Sequence, residues 1–177
     1  MSRILIWYST VDGQTRRICQ RIQAIAEEAG HRVTLADLDN HDAFSATHFD
    51  AVVIGASIRY GRHRPIVAQY LRANRKVLEG RKCAFFTVNV VARKPEKSTT
   101  DSNPYLRRLL KEIGWRPPLL AVFAGRLDYP SLGFLDRSVI RFIMLLTRGP
   151  TDPAGTFEFT DWRRVGEFAR EISLAAL

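Results

Sequence analysis

Cysteine is nearly absent from this chain. Cys19 and Cys83 stand far apart with no C-x-x-C between them, which excludes a disulfide framework and a dithiol redox pair. Both read as small buried hydrophobes in a reducing cytoplasm. The four histidines, His31, His41, His48 and His63, have no metal-ligand spacing, so no metal site is expected. No apolar run reaches the roughly 18–20 residues that cross a bilayer. Met1-Ser2-Arg3 leads straight into an apolar segment with no export signal, and a cytoplasmic location is expected. Internal repeats and low-complexity tracts are missing too. So are Ser-His-Asp and Cys-His arrangements and paired carboxylates with a catalytic look. With no catalytic side chain to name, the chemistry is expected to belong to a bound cofactor.

What is present is a core and a charge. The 177 residues are 46% hydrophobic, enough for one domain over 1–177 and too few for two ordinary ones. The formal net charge is +9, with a pI near 10.1. Such a balance implies an anionic partner: nucleic acid, a lipid surface or a small polyanion. The basic residues are not interleaved with an RNA-binding motif or gathered on a recognition helix, so nucleic acid is not expected.

Apolar runs alternate with helical spacing. Strands are predicted over 3–8, 32–36, 51–55, 83–88 and 119–124. Helices are predicted over 14–29, 65–78, 105–113 and 161–173, with Pro65 at a first helical turn and Asp161 as an N-cap. Five strands separated by helices predict a doubly wound parallel sheet with helices on both faces. About thirty residues between Ala124 and Thr156-Phe157-Glu158-Phe159-Thr160 read as an insertion, about 126–155, that interrupts strand five.

In such sheets ligands sit beyond the carboxyl ends of the strands, so the loops after strands one, three and four are the ones to read. After strand one comes Ser9-Thr10-Val11-Asp12-Gly13-Gln14-Thr15, opening a helix. Hydroxyls, backbone amides and a helix N-terminus make an anion cradle. The loop lacks the lysine of a P-loop and the glycines of G-x-G-x-x-G, and so suits one terminal phosphate of a mononucleotide such as FMN. The same cluster is also what any capped βα loop offers. After strand three, Ala56-Ser57-Ile58-Arg59-Tyr60-Gly61 gives an aromatic ring able to stack on a flat ligand. Arg62, His63 and Arg64 follow, and a solvated basic turn is the plain alternative. After strand four, Asn89-Val90-Val91-Ala92 leaves the sheet where backbone groups could meet a ring's polar edge. A long polar stretch through Arg93, Lys94 and Lys97 then runs to Pro104.

These residues carry a resemblance. The loop from Ser9 to Thr15 resembles the flavodoxin phosphate loop, with Gln14 where flavodoxins have asparagine. Val53-Ile54-Gly55-Ala56-Ser57-Ile58-Arg59-Tyr60-Gly61 and Val88–Lys97 extend the likeness, with Trp115-Arg116-Pro117, Thr160-Asp161-Trp162 and Phe168–Ile172. Together they resemble the flavodoxin-like menaquinone-dependent protoporphyrinogen IX oxidases of bacteria, over essentially the whole chain. The resemblance implies FMN held by Ser9, Thr10, Asp12, Gly13, Gln14, Thr15, by Ala56 to Gly61 and by Asn89 to Ala92. It implies oxidation of protoporphyrinogen IX to protoporphyrin IX in haem biosynthesis, with electrons passed to menaquinone or ubiquinone at the inner face of the cytoplasmic membrane. Charge and likeness together nominate Arg59, Arg62, Arg93, Lys94 and Lys97 for the substrate's propionates. A nicotinamide-dependent quinone reductase and an electron-carrier flavodoxin are the alternatives on the same fold.

The insertion adds a helical pattern. Arg137, Arg141 and Arg148, four and seven residues apart, are predicted on one stripe, with Leu135, Val139, Phe142, Ile143 and Leu146 opposite. The pattern alone leaves its role open; the quinone partner that the resemblance implies is what favours an interfacial role, so segment 131–149 is expected to approach an anionic membrane, peripherally and without crossing it. The alternative is an ordinary surface helix packed on the sheet edge.

Overall fold

The computed structural model of the chain describes residues 1–176. Its strands and helices are β1 (Arg3–Ser9), α1 (Gln14–Glu28), β2 (Arg32–Asp37), β3 (Ala51–Arg59), β4 (Arg62–His63), α2 (Pro65–Ala73), α3 (Arg75–Glu79), β5 (Lys82–Asn89), α4 (Pro104–Ile113), β6 (Leu119–Ala124), β7 (Arg126–Asp128), α5 (Phe134–Leu146), β8 (Thr156–Glu158) and α6 (Trp162–Ala176). Five of the strands form a parallel sheet ordered β2-β1-β3-β5-β6, the doubly wound arrangement expected from the apolar runs. The inner strands β1, β3 and β5 are buried on both faces, which is why they read as continuous apolar runs, whereas the edge strand β2 is only partly buried.

Two cores result. On one face Ile4, Ile6, Val53, Phe86 and Phe123 pack against Ile18, Ile22, Val165 and Phe168 of α1 and α6. Phe86, Phe123 and Phe168 meet edge-on, with centroids 5.4–6.0 Å apart. On the other face Leu5, Trp7, Ile54 and Phe85 pack against Val67, Leu71, Leu106 and Leu109. Trp7 donates its indole N–H to the Tyr70 hydroxyl at 2.9 Å, so the largest buried ring is also satisfied. Gly55 lies beneath the Phe86 ring, which a Cβ at that position would strike.

The helix expected over 65–78 is two helices. At Asn74 the backbone leaves the α region (φ −100°, ψ 8°), and the side-chain amide donates to the Tyr70 carbonyl at 3.1 Å. An asparagine that serves a carbonyl one turn back ends the helix there. The polar stretch after β5 is built rather than loose. Asn89 accepts from the Ala92 amide at 2.9 Å and starts a 3-10 turn over 90–93. Asn103 caps α4 by accepting from the Leu106 amide, and it donates to the Lys97 carbonyl at 2.8 Å.

The insertion forms its own layer. The chain leaves the sheet at Gly125, pairs β7 with β8 antiparallel, and rejoins where the Phe159 amide donates to the Gly125 carbonyl. Leu127, Tyr129, Leu132 and Met144 make a small separate core beneath α5. The arginine stripe expected on α5 is not a free cationic face. Arg137 donates to the carbonyls of Tyr129, Pro130 and Leu132, and Arg141 donates to that of Thr151. These guanidiniums tie the helix to backbone carbonyls of the segments on either side of it. Arg148 lies beyond the helix end at φ 54° and does not continue the stripe. The apolar side is the outward one: Phe134, Leu135, Leu145 and Leu146 are 68–82% exposed.

Candidate functional site

The carboxyl ends of β1, β3, β5 and β6 open onto one region, where two connected hollows lie. The phosphate-type loop shapes the narrower. Thr10 accepts from the Gly13 amide at 3.0 Å, and Gly13 takes φ 79° as the N-cap of α1. No side chain caps that helix, so its first amides stay with the loop. Gln14, in place of the flavodoxin asparagine, turns toward the insertion. It donates to Glu158 at 3.1 Å and Thr160 at 2.8 Å, and accepts from Arg17 at 3.0 Å. Burial works against the Glu158 charge, but Gln14, Arg17 and Trp162 outweigh it and hold the carboxyl below its usual range.

Thr10, Asp12, Gln14, Thr15, Ser57, Ile58, Asn89, Val90 and Arg126 line this hollow. Four of them carry a buried polar atom with no hydrogen-bond partner: Thr15 Oγ1, Ser57 Oγ, Asn89 Nδ2 and Arg126 Nε. Among the described residues the fifth such atom, His31 Nε2, belongs to a histidine outside this lining. Each unpaired buried group costs about 1–3 kcal/mol, so four in one hollow single it out as the candidate site for a polar ligand. Two are N–H donors and two are hydroxyls, which matches a ligand rich in oxygen acceptors, such as a ribityl phosphate.

The wider hollow is a cleft of about 200 Å³. Ile58, Arg59, Tyr60, Val90 and Val91 form its sheet side; Val139, Ile140, Ile143 and Met144 of α5 form the opposite wall. An ionic cluster stands at its mouth. Arg59 reaches Asp12 at 2.9 Å and Asp136 at 2.6 Å, and the Tyr60 hydroxyl donates to the other Asp136 oxygen at 2.6 Å. Hydrogen bonding from Tyr60, with the nearby Arg59 charge, holds the Asp136 carboxyl below its ordinary value. Tyr60 and Gly61, at φ 50° and 74°, form the two-residue turn between β3 and β4. Both left-handed positions suit the primed hairpin turn that matches strand twist.

Of the residues singled out from the sequence, Thr10, Asp12, Gln14, Thr15, Ser57, Ile58, Arg59, Tyr60, Gly61, Asn89, Val90 and Val91 line one hollow or both. Ser9, Gly13, Ala56 and Ala92 line neither, and Ser9, Ala56 and Ala92 are buried behind it. Of the five nominated cations only Arg59 borders the cleft. Arg62 faces a separate hollow with His63 and Arg108. Arg93 is tied to Thr147 at 2.8 Å and to the Val90 carbonyl, bracing the end of α5. Lys94 and Lys97 line neither hollow. Tyr60 stands 72% exposed, its hydroxyl engaged by Asp136. Sequence reasoning passed over Arg126, Tyr105, Asp136, Ile140 and Met144. Arg126 stands two residues past β6, so reading the loop after the fifth strand would have found it.

The flavodoxin domain family matches residues 5–154. The chain is 40% identical over 171 residues to the protoporphyrinogen IX dehydrogenase (quinone) of Escherichia coli strain K12, covering 97% of this chain and 94% of that protein. It is 37% identical over 176 residues to the protein of the same name in Leishmania major, covering 99% of this chain and 76% of the other. Its fold is similar to oxidised flavodoxin 1 of Bacillus cereus, with a TM-score of 0.54, 16% identity and 97% of each chain covered. A short-chain flavodoxin associated with a bacterial microcompartment gives a TM-score of 0.55 at 12% identity, over 100% of both chains.

Proposed function

This chain belongs to the flavodoxin-domain family that contains the quinone-dependent protoporphyrinogen IX dehydrogenases, and on that footing we propose that it oxidises protoporphyrinogen IX to protoporphyrin IX with FMN, delivering electrons to menaquinone in haem biosynthesis. The observation that carries the reading is the joining of two unlike hollows. A narrow one with four unpaired buried polar atoms opens beside a wide apolar cleft whose far wall is the insertion.

In this reading Thr15, Ser57, Asn89 and Arg126 hold the phosphate and polyol of FMN, with the opening amides of α1 on the phosphate. Bound there, FMN supplies two-electron oxidation of a carbon substrate and release of those electrons to a quinone. The chain supplies shape and charge. Val90 and Val91 on one side, and Ile140, Ile143 and Met144 on the other, offer an apolar slot for a flat macrocycle and keep water from it. Arg59 at the mouth offers a guanidinium to a propionate. Outward apolar residues of α5, with the net charge of +9, fit attachment to the inner face of an anionic cytoplasmic membrane, where a long-tailed quinone is dissolved. A plain electron carrier would need no substrate cleft, and the cleft and charge favour the oxidase over it. The test is anaerobic oxidation of protoporphyrinogen IX, followed by porphyrin fluorescence with and without menaquinone. Porphyrin formation that depends on the quinone is expected. Absence of porphyrin with the quinone present refutes the reading.

A further inference from the structure

The ionic cluster at the cleft mouth has the form of a receptor already filled by the chain's own carboxylate. Each Asp136 oxygen takes one donor: Oδ2 from Arg59 Nη2 and Oδ1 from the Tyr60 hydroxyl, both at 2.6 Å. That is two-point recognition of a carboxylate by a cation and a phenol. The donors are fixed before any ligand arrives. The Tyr60-Gly61 turn sets them side by side, and the Arg59 guanidinium lies 5.1 Å from the Tyr60 ring centroid. Asp12 holds the other Arg59 amine at 2.9 Å, so the guanidinium keeps its place if Asp136 leaves. Asp136 itself sits in the first turn of α5, on the insertion rather than the sheet, and its side chain is 30% exposed. Two carboxylates on one guanidinium leave the mouth with a net negative charge in a basic protein.

We infer that Arg59 and Tyr60 form the receptor for a substrate carboxylate, and that Asp136 is the resident competitor which this carboxylate displaces. The inference rests on the proposed function for the identity of the ligand, a porphyrin-type propionate. Exchange swaps one carboxylate for another on the same donors and returns Asp136 to water. It also frees the first turn of α5 from the hairpin, so arrival of an acidic ligand widens the mouth that Asp136 narrows. Asp136 is thereby a specificity-determining residue: it excludes ligands that bring no carboxylate of their own.

The experiment measures binding of protoporphyrin IX and of its dimethyl ester to the flavin-loaded protein, by porphyrin fluorescence anisotropy. The wild-type protein is expected to bind the acid at least several-fold tighter than the ester. Asp136→Asn should tighten the acid severalfold, because the competitor's charge is gone. Tyr60→Phe should weaken the acid alone, and Arg59→Gln should erase the acid-over-ester preference. Equal weakening of both ligands in Asp136→Asn would make the contact a structural tie and overturn the proposal. So would equal affinity of the wild-type protein for acid and ester. Protoporphyrinogen turnover is read separately. Its absence, with the acid preference intact, refutes the oxidase reading and leaves the receptor standing; turnover without acid preference does the reverse.

Discussion

Thr15 and Arg126 test the proposed cofactor cradle residue by residue. Thr15→Val is expected to weaken FMN binding by about 0.5–1.5 kcal/mol, the range of a neutral hydrogen bond, and Arg126→Gln by up to about 3 kcal/mol, the range of a charged one. Titration of the apoprotein by flavin fluorescence quenching measures both, and released flavin that runs as FAD on chromatography would contradict the assignment. Thr10 is different in kind. Its hydroxyl holds the Gly13 amide, so Thr10→Ala should act through the turn rather than by losing a ligand contact. His63 gives a pH signature. Burial lowers its pKa from 6.5 to about 4, beside Thr87 and against the edge of Phe85. The unfolded imidazole takes a proton as the pH falls below 6.5, and the folded one does so only near 4. Stability is therefore intact above that window and is lost as the pH drops through it, by about 3 kcal/mol. Urea unfolding at pH 7, 5.5 and 4 should show that slope in the wild-type protein and a flatter one in His63→Gln.

At the scale of elements, the inner strands were legible because buried parallel strands read as apolar runs, and their alternation with helices marked the doubly wound class, whereas the order of the strands was not legible. Pro65 and Asp161 marked helix starts for reasons local to those residues. Illegible were facts that depend on which backbone group a polar side chain selects. The break at Asn74 needs the Tyr70 carbonyl four residues back, and the ordered stretch after β5 needs Asn89 and Asn103 to take backbone groups three and six residues away. Asn103→Ala should cost about 1–2 kcal/mol of stability, measured by denaturant unfolding, because it removes the cap of α4. The orientation of α5 was equally hidden, since periodicity separates two faces without saying which is inward. The arginine face is fastened to carbonyls and the leucine face is bare. Leu145→Asp with Leu146→Asp should therefore abolish sedimentation with anionic liposomes and reduction of a long-tailed quinone, while FMN binding is kept. Liposome binding unchanged in that double variant would remove α5 from the membrane contact.

For the molecule as a whole, charge and apolar surface act at different ranges. The +9 balance attracts an anionic surface over about a Debye length, roughly 8–10 Å at ordinary ionic strength, whereas the α5 leucines act only on contact. Rising salt should thus slow and weaken liposome association without abolishing it, as vesicle titrations across salt concentrations would reveal. One feature of the insertion bears on how the proposed association would proceed. Peptide helices that coat lipid commonly acquire their structure on the surface, so their adsorption includes the enthalpy and ordering entropy of folding. Here Arg137 and Arg141 clip α5 to the backbone at Tyr129, Leu132 and Thr151. The blade is finished before it touches anything. In the attachment proposed above, landing on a bilayer would then resemble docking of a rigid tool more than coil-to-helix condensation: the far-ultraviolet circular dichroism should stay constant as vesicles are added, and detachment would need no unwinding.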